Sequence, residues 1–225
     1  MGVRAPLIAS LALLAGMALV SVWAWPTIPN GAHLAVHFDI AGRPNGFAPK
    51  AFALLCMPLS GLAATLVFAA IGSRPSAVGH PVSDMPAFAA GWIGTLLLLA
   101  FAHIGIVMLA RGVLIDVTRN VFFFIGLLFA VLGNFLGKTE RNNFVGVRTA
   151  WTLSSDYSWQ KTNRAGGWMM VGIGLADLAA LACAGPKLAQ TVLIGGTVLL
   201  LAVAIPLSRH YWKQDPERRI DSGRG

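Results

Sequence analysis

The sequence is poor in charge. Asp, Glu, Lys and Arg make up 12% of its 225 residues, and only nine side chains are acidic. A soluble domain carries about 25%, so this chain lacks the polar surface that a soluble globule needs. Cysteine is scarce as well. Cys56 and Cys183 lie within or at the edge of apolar runs, which excludes a disulfide framework and a CxxC metal site, and buried free thiols are expected. No Ser-His-Asp spacing, HExxH or P-loop occurs, so the signatures of those enzyme classes are missing. No internal repeat is evident, which withholds support from an inverted-repeat transporter.

What the chain has is apolar length. Hydrophobic residues make up 56%, with a mean hydropathy of +0.69. Length and polarity predict six membrane spans, at 5–25, 50–72, 86–109, 120–137, 166–185 and 188–208, each sufficient for about 30 Å of hydrocarbon. Pro58 and Gly61 fall inside the second, where neighbouring helices can satisfy the backbone. The first run follows Arg4 like a signal peptide, but it exceeds an h-region and no A-x-A site follows. It is read as a retained transmembrane helix.

The formal net charge is +8. Because the cations sit between the apolar runs, no direct nucleic-acid binding is expected. With the N-terminus inside, Arg43, Lys50, Arg111, Arg119 and Lys187 fall outside, and the other twelve of the 17 cations fall in the cytoplasm. The positive-inside bias therefore predicts that both termini are cytoplasmic. The tail 209–225, with Arg218, Arg219 and Arg224, is expected to fray.

Residues 26–49 form the longest outer connection. Leu34, Val36, Phe38 and Ile40 alternate with Ala35, His37 and Asp39, the period of a half-buried strand. GRPNG follows, with Pro44 and Asn45 suited to the centre of a tight turn. His33, His37 and Asp39 would share one strand face, a weak candidate metal set because no fourth ligand is defined. An ordinary solvated face is the simpler reading. No other cofactor is suggested.

The inner connection, 138–165, is polar and aromatic. Thr152, Ser154 and Ser155 can cap a helix ahead of Asp156. A short helix over 154–163 is expected to lie along the inner membrane surface, with Trp151, Tyr157 and Trp159 at headgroup level. Arg148 could anchor topology, bridge helix ends or bind a headgroup phosphate. Gly91, Gly94, Gly166 and Gly167 read as close-packing positions.

These residues carry a resemblance. Gly133-Asn134, Lys138, Asn143, Phe144, Gly146, Arg148-Thr149, Trp151-Thr152-Leu153, Trp159, Lys161-Thr162, Arg164 and Gly167 resemble the signature of the SdpI family. Pro29, His37-Phe38-Asp39, Gly42, Pro44 and Lys50 resemble the domain of unknown function that precedes it there. Ala150 stands where the family pattern has proline, Asn163 where it has histidine, Asn45 where it has aspartate and Ala35 where proline is frequent. Without that histidine the motif has no group that titrates near neutral pH.

The resemblance implies an all-α bacterial cytoplasmic-membrane protein of six helices that binds rather than catalyses. A secreted killing peptide would be met outside, a transcriptional repressor inside, and membrane lipid around the bundle. The chain then divides into residues 1–72, with two helices and the outer loop; 73–119, with the third; 120–208, the SdpI-like helices with their loop 138–165; and the tail 209–225. The signature residues for binding or signalling are Asn134, Lys138, Asn143, Arg148, Trp151, Thr152, Trp159, Lys161 and Arg164.

Asp177 and His103 stand apart as ionisable groups within apolar spans, which are functional candidates by default. They suggest an alternative, a proton-coupled transporter built on that pair. A third reading is a membrane enzyme with a cytoplasm-facing site near Asn134, Asn143 and Arg148, for which no nucleophile, base or metal cluster is apparent.

Overall fold

Within hydrocarbon a backbone must satisfy its own polar groups, so a long apolar run becomes a helix. The computed structural model describes residues 2–39, 41–75 and 79–217. Ile40 of the expected strand and Arg218, Arg219 and Arg224 of the tail lie outside the described residues. Six helices are long and apolar enough to cross a membrane: α1 (Arg4–Ala24), α2 (Lys50–Gly72), α3 (Pro86–Ala110), α4 (Val117–Leu136), α6 (Asp156–Cys183) and α7 (Pro186–Gln214). One further turn of helix, α5, spans Ala150–Leu153. The protein is an all-α integral membrane protein whose predicted spans recur with shifted ends.

The largest shift concerns residues 154–163, which do not form a separate surface helix. They lead directly into α6, a single helix of 28 residues. At 1.5 Å per residue α6 is about 42 Å long, more than a hydrocarbon core requires. Its polar first turns are held by protein instead of lying on lipid. Ser155 caps it, accepting from the Ser158 N–H, and Asp156 occupies the first turn, as the helix dipole favours.

The outer connection also folds further than expected. β1 (His33–Phe38) pairs antiparallel with β2 (Pro44–Pro49). Pro44 and Asn45 therefore lie in a strand, and the turn falls on the residues between the strands, where Gly42 adopts φ +77°. Asp39 closes this turn. Its Oδ1 accepts from the Ala41 and Arg43 N–H groups at 2.9 Å each, and its Oδ2 takes Arg43 Nε at 2.8 Å. The Arg43 backbone hydrogen bond, followed by its side chain and the Ala41 N–H, holds the Asp39 carboxyl below the usual carboxylate range.

Packing gathers the elements into two groups. α1, α2 and α3 pack together with the hairpin, while α4 packs chiefly on α6 and α6 on α7. Ala24, Ile28, Leu34, Leu54 and Ile106 form one buried cluster at the hairpin end. Val82, Phe88, Trp92 and Leu96 form a second, with Val3, Phe144 and Val145 against it. Trp92 is fully buried, and Phe68 stacks on it with ring centroids 5.7 Å apart. The N-terminus, the α2–α3 connection and residues 138–155 thus meet at one end of the bundle. The hairpin meets the start of α4 at the other, because Gly42 stands against Thr118. Neither cysteine is buried: Cys56 is half-buried and Cys183 exposed, both as free thiols.

Candidate functional site

A polar knot joins the ends of α4, α6 and α7. Asn142 organises its first turn: its side-chain oxygen accepts from Phe144 and Val145 N–H at 2.8 and 2.7 Å, and its amide donates to Glu140 and Val145 carbonyls. The chain then passes over α6 at Gly146, whose φ of +127° is open to glycine but strained for other residues. A Cβ here would also stand 2.7 Å from Asn163 Oδ1 and 3.0 Å from the Trp159 ring.

Two residues of α6 receive this crossing. Trp159 is 1% exposed and donates from Nε1 to the Thr139 carbonyl at 2.8 Å. Asn163, fully buried, accepts from the Val147 N–H at 2.7 Å and donates to the Trp159 carbonyl at 3.0 Å. Asn163 is therefore a bridge between loop and helix, a role that needs no titratable group. The expectation that Trp159 would sit at headgroup level is corrected, because the loop folds back over it.

Thr152 is equally central. Its Oγ1 donates to the Val147 carbonyl at 2.8 Å, and with Thr149 it forms a capping box for α5. Four hydrogen bonds then tie the knot to α7 and its C-cap: Thr149 Oγ1 to Ser208 Oγ at 3.0 Å, Ser158 Oγ to the Ser208 carbonyl at 2.7 Å, Ser155 Oγ to Asp215 Oδ2 at 2.6 Å, and Trp212 Nε1 to Ser154 Oγ at 3.0 Å. Arg141 adds a clamp, donating to the Leu153 carbonyl at 2.8 Å and lying 2.9 Å from Asp156. The Arg148 guanidinium, exposed, turns back to the Asn143 carbonyl within its own loop and does not bridge helix ends. Ser155 caps α6 as its place ahead of Asp156 suggests, whereas Thr139, Ser158 and Ser208 carry as much of this architecture and, as single small polar residues, give no sequence signal.

The other signature residues divide by place. Trp151 is half-buried, with Arg209 6.0 Å from its ring centre. Lys161 is exposed, 5.6 Å from the Tyr157 ring. Asn134, Lys138 and Arg164 line a separate cleft between α4 and α6 with Gly133, Gly137 and Trp168.

Beneath the knot runs a glycine seam. Gly133 faces Gly167 and Gly126 faces Gly174, so glycines seven apart on antiparallel helices bring backbone against backbone. Next to Gly126 lies Asp177, fully buried, with neither carboxyl oxygen hydrogen-bonded among the described residues. An acid at mid-span costs about 2.5–3.5 kcal/mol on insertion scales.

The Asp177–His103 pair on which the alternative transporter reading would rest is not formed. His103 belongs to the other helix group, where Nε2 contacts Ser21 Oγ at 3.0 Å and the Met17 carbonyl at 3.1 Å. Ser21 in turn donates to the Leu54 carbonyl at 2.8 Å, which joins α1, α2 and α3. This packing removes the basis for a transporter built on the pair.

The outer-loop candidates are also engaged. His37 Nδ1 contacts Asn45 Oδ1 at 2.5 Å, and Asp39 is committed to Arg43. Register shifts around His37 break the shared face assumed for His33, His37 and Asp39. No group of three potential ligands comes together among the described residues. Lys50 is 7% exposed and clamps the approach to the hairpin, donating to the Ile28 carbonyl at 2.7 Å and Asn30 Oδ1 at 3.3 Å, beside the Trp25 ring.

Comparison with known proteins places these two regions. Residues 138–208 match the SdpI/YfhL protein family, and residues 12–62 match the domain of unknown function DUF1648. The immunity protein SdpI of Bacillus subtilis (strain 168) is 24% identical over 119 residues, covering 53% of this chain and 57% of that protein. The chain thus matches little more than half the length of this curated relative. No solved structure matches the chain significantly. Most of the knot, with α6 and most of α7, lies in a segment that resembles the SdpI/YfhL family, the hairpin lies in a segment that resembles DUF1648, and the chain as a whole is a multi-pass membrane protein.

Proposed function

We propose that this protein is a bacterial inner-membrane immunity protein, acting by binding and without catalysis. It meets a secreted antimicrobial peptide at the hairpin end and a cytoplasmic regulator at the knot. The observation that carries this reading is the knot itself. It occupies the SdpI segment, and its hydrogen bonds to α6 and α7 hold Asn143, Arg148 and Lys161 exposed on a surface that is fixed before any partner arrives. A surface fixed in advance loses less conformational entropy on binding. The hairpin is similarly braced, by Asp39 at its turn and Lys50 at its base.

Expressing the full chain in a bacterium killed by a secreted membrane-active peptide tests the reading. Survival at a dose lethal to the parent strain is expected to rise, by an amount easily resolved in colony counts. Equal killing with and without the chain, across peptides from related producers, would overturn it.

A further inference from the structure

The cleft between α4 and α6 is not used by the knot. It has a volume of about 290 Å³ and brings together residues from two helices, close to the lower limit of small-ligand clefts. Lys138 follows the end of α4, Arg164 lies on α6, and Asn134 stands one turn before Lys138. The glycines explain why they meet. A Cβ on Gly133 would lie 2.6 Å from the Gly167 carbonyl, and one on Gly137 would lie 2.9 Å from Arg164 Cα. Only side-chain-free positions allow α6 to approach so closely that Arg164 and Lys138 share one opening.

The chemistry of the lining is one-sided. No carboxylate lines this cleft, and among the described residues neither Arg164 nor Lys138 has a carboxylate ion-pair partner. Arg164 supplies a guanidinium fork that matches phosphate oxygens, Lys138 a point charge and Asn134 an amide donor. Trp168, 71% exposed, stands at the mouth with Val171 on the side toward mid-span. A tryptophan at this level is the usual marker of the headgroup zone. The opening therefore faces the place where a phosphate sits above acyl chains.

We infer that this cleft is a binding site for the phosphate of an anionic phospholipid, its acyl chains lying along Trp168 and Val171. The inference stands apart from the immunity reading, since it concerns neither the hairpin nor the exposed surface of the knot. A cation near a lipid surface contributes about 1 kcal/mol, or about fivefold in affinity. Removing both cations should weaken the site about 25-fold.

The test titrates phosphatidylglycerol into the purified full chain and reads bound lipid by native mass spectrometry. Lys138→Gln and Arg164→Gln are each expected to weaken retention about fivefold, and the double variant about 25-fold. Lys213→Gln, an exposed cation on α7 outside the cleft, should leave it unchanged. Lys138 is exposed, so its single variant keeps the test valid if the double variant fails to fold. Equal retention by Lys138→Gln and wild type, or equal loss in Lys213→Gln, would overturn the site. A parallel titration with inorganic phosphate separates the two phosphate sources: weak or no binding fits a lipid site, whereas affinity equal to that for the lipid would overturn the lipid assignment.

Discussion

Gly133→Ala is expected to destabilise the bundle by about 3 kcal/mol, the upper end of the usual cost of overpacking. The added methyl would lie 2.6 Å from the Gly167 carbonyl and 2.8 Å from the Val171 nitrogen, so the obstacle is backbone and cannot swing aside. α4 must back away from α6. A gap of about 0.5–1 Å forfeits a quarter to a half of each contact's dispersion energy along the seam. Gly172→Ala gives the contrast. It sits on α6, the facing helix, with nothing within 4 Å of an added Cβ, and alanine is the better helix former by about 1 kcal/mol. Unfolding in mixed micelles should show Gly133→Ala far below wild type and Gly172→Ala equal or above. Equal midpoints for Gly133→Ala and wild type would show that the seam is not packed as described.

Trp159→Ala should cost more, about 3–5 kcal/mol, as buried aromatic truncations do. The indole fills the space under Gly146 and donates to the Thr139 carbonyl at 2.8 Å. Its loss leaves both a cavity and a buried carbonyl without its donor. Trp159→Phe restores most of the volume but not the N–H, and should cost about 1–2 kcal/mol. Limited proteolysis between residues 139 and 149 separates the cases: rapid cleavage is expected in the alanine variant and slow cleavage in the phenylalanine variant. If Trp159→Ala were as resistant as wild type, the loop would not depend on the indole.

The six spans were legible because apolar length alone dictates them. α2 begins and ends as expected from 50–72, and α3 differs by one residue from 86–109. The hairpin was half legible. β1 has the alternation of a strand, whereas PNGFAP has a proline at each end and reads as turn; proline is tolerated there because both strands are edges. The helix expected over 154–163 went astray because Trp159 looks interfacial until the loop is seen to cover it. That burial is tertiary, set by Gly146 and Asn142 many residues upstream. His103 and Asp177 invited pairing as the two ionisable groups within the spans, but the true partner of His103 is the hydroxyl of Ser21, which no charge pattern announces. The signature residues scatter into three places, with Thr152 and Trp159 inside the knot, Asn143, Arg148, Lys161 and the half-buried Trp151 toward its surface, and Asn134, Lys138 and Arg164 in the cleft. Spacing alone does not sort them.

Both halves of the proposed function rest on orientation: the knot must face the cytoplasm and the hairpin the outside, the arrangement that the cation distribution predicts. Thiol labelling tests this most directly. With Cys56 and Cys183, the free thiols of the described chain, replaced by alanine, single cysteines are placed at Phe47 on the hairpin, 60% exposed, and at Gln160 on α6, also exposed. A membrane-impermeant maleimide should label Phe47→Cys in intact cells, and Gln160→Cys only after permeabilisation. Labelling of Gln160→Cys in intact cells, with Phe47→Cys protected, would contradict the account.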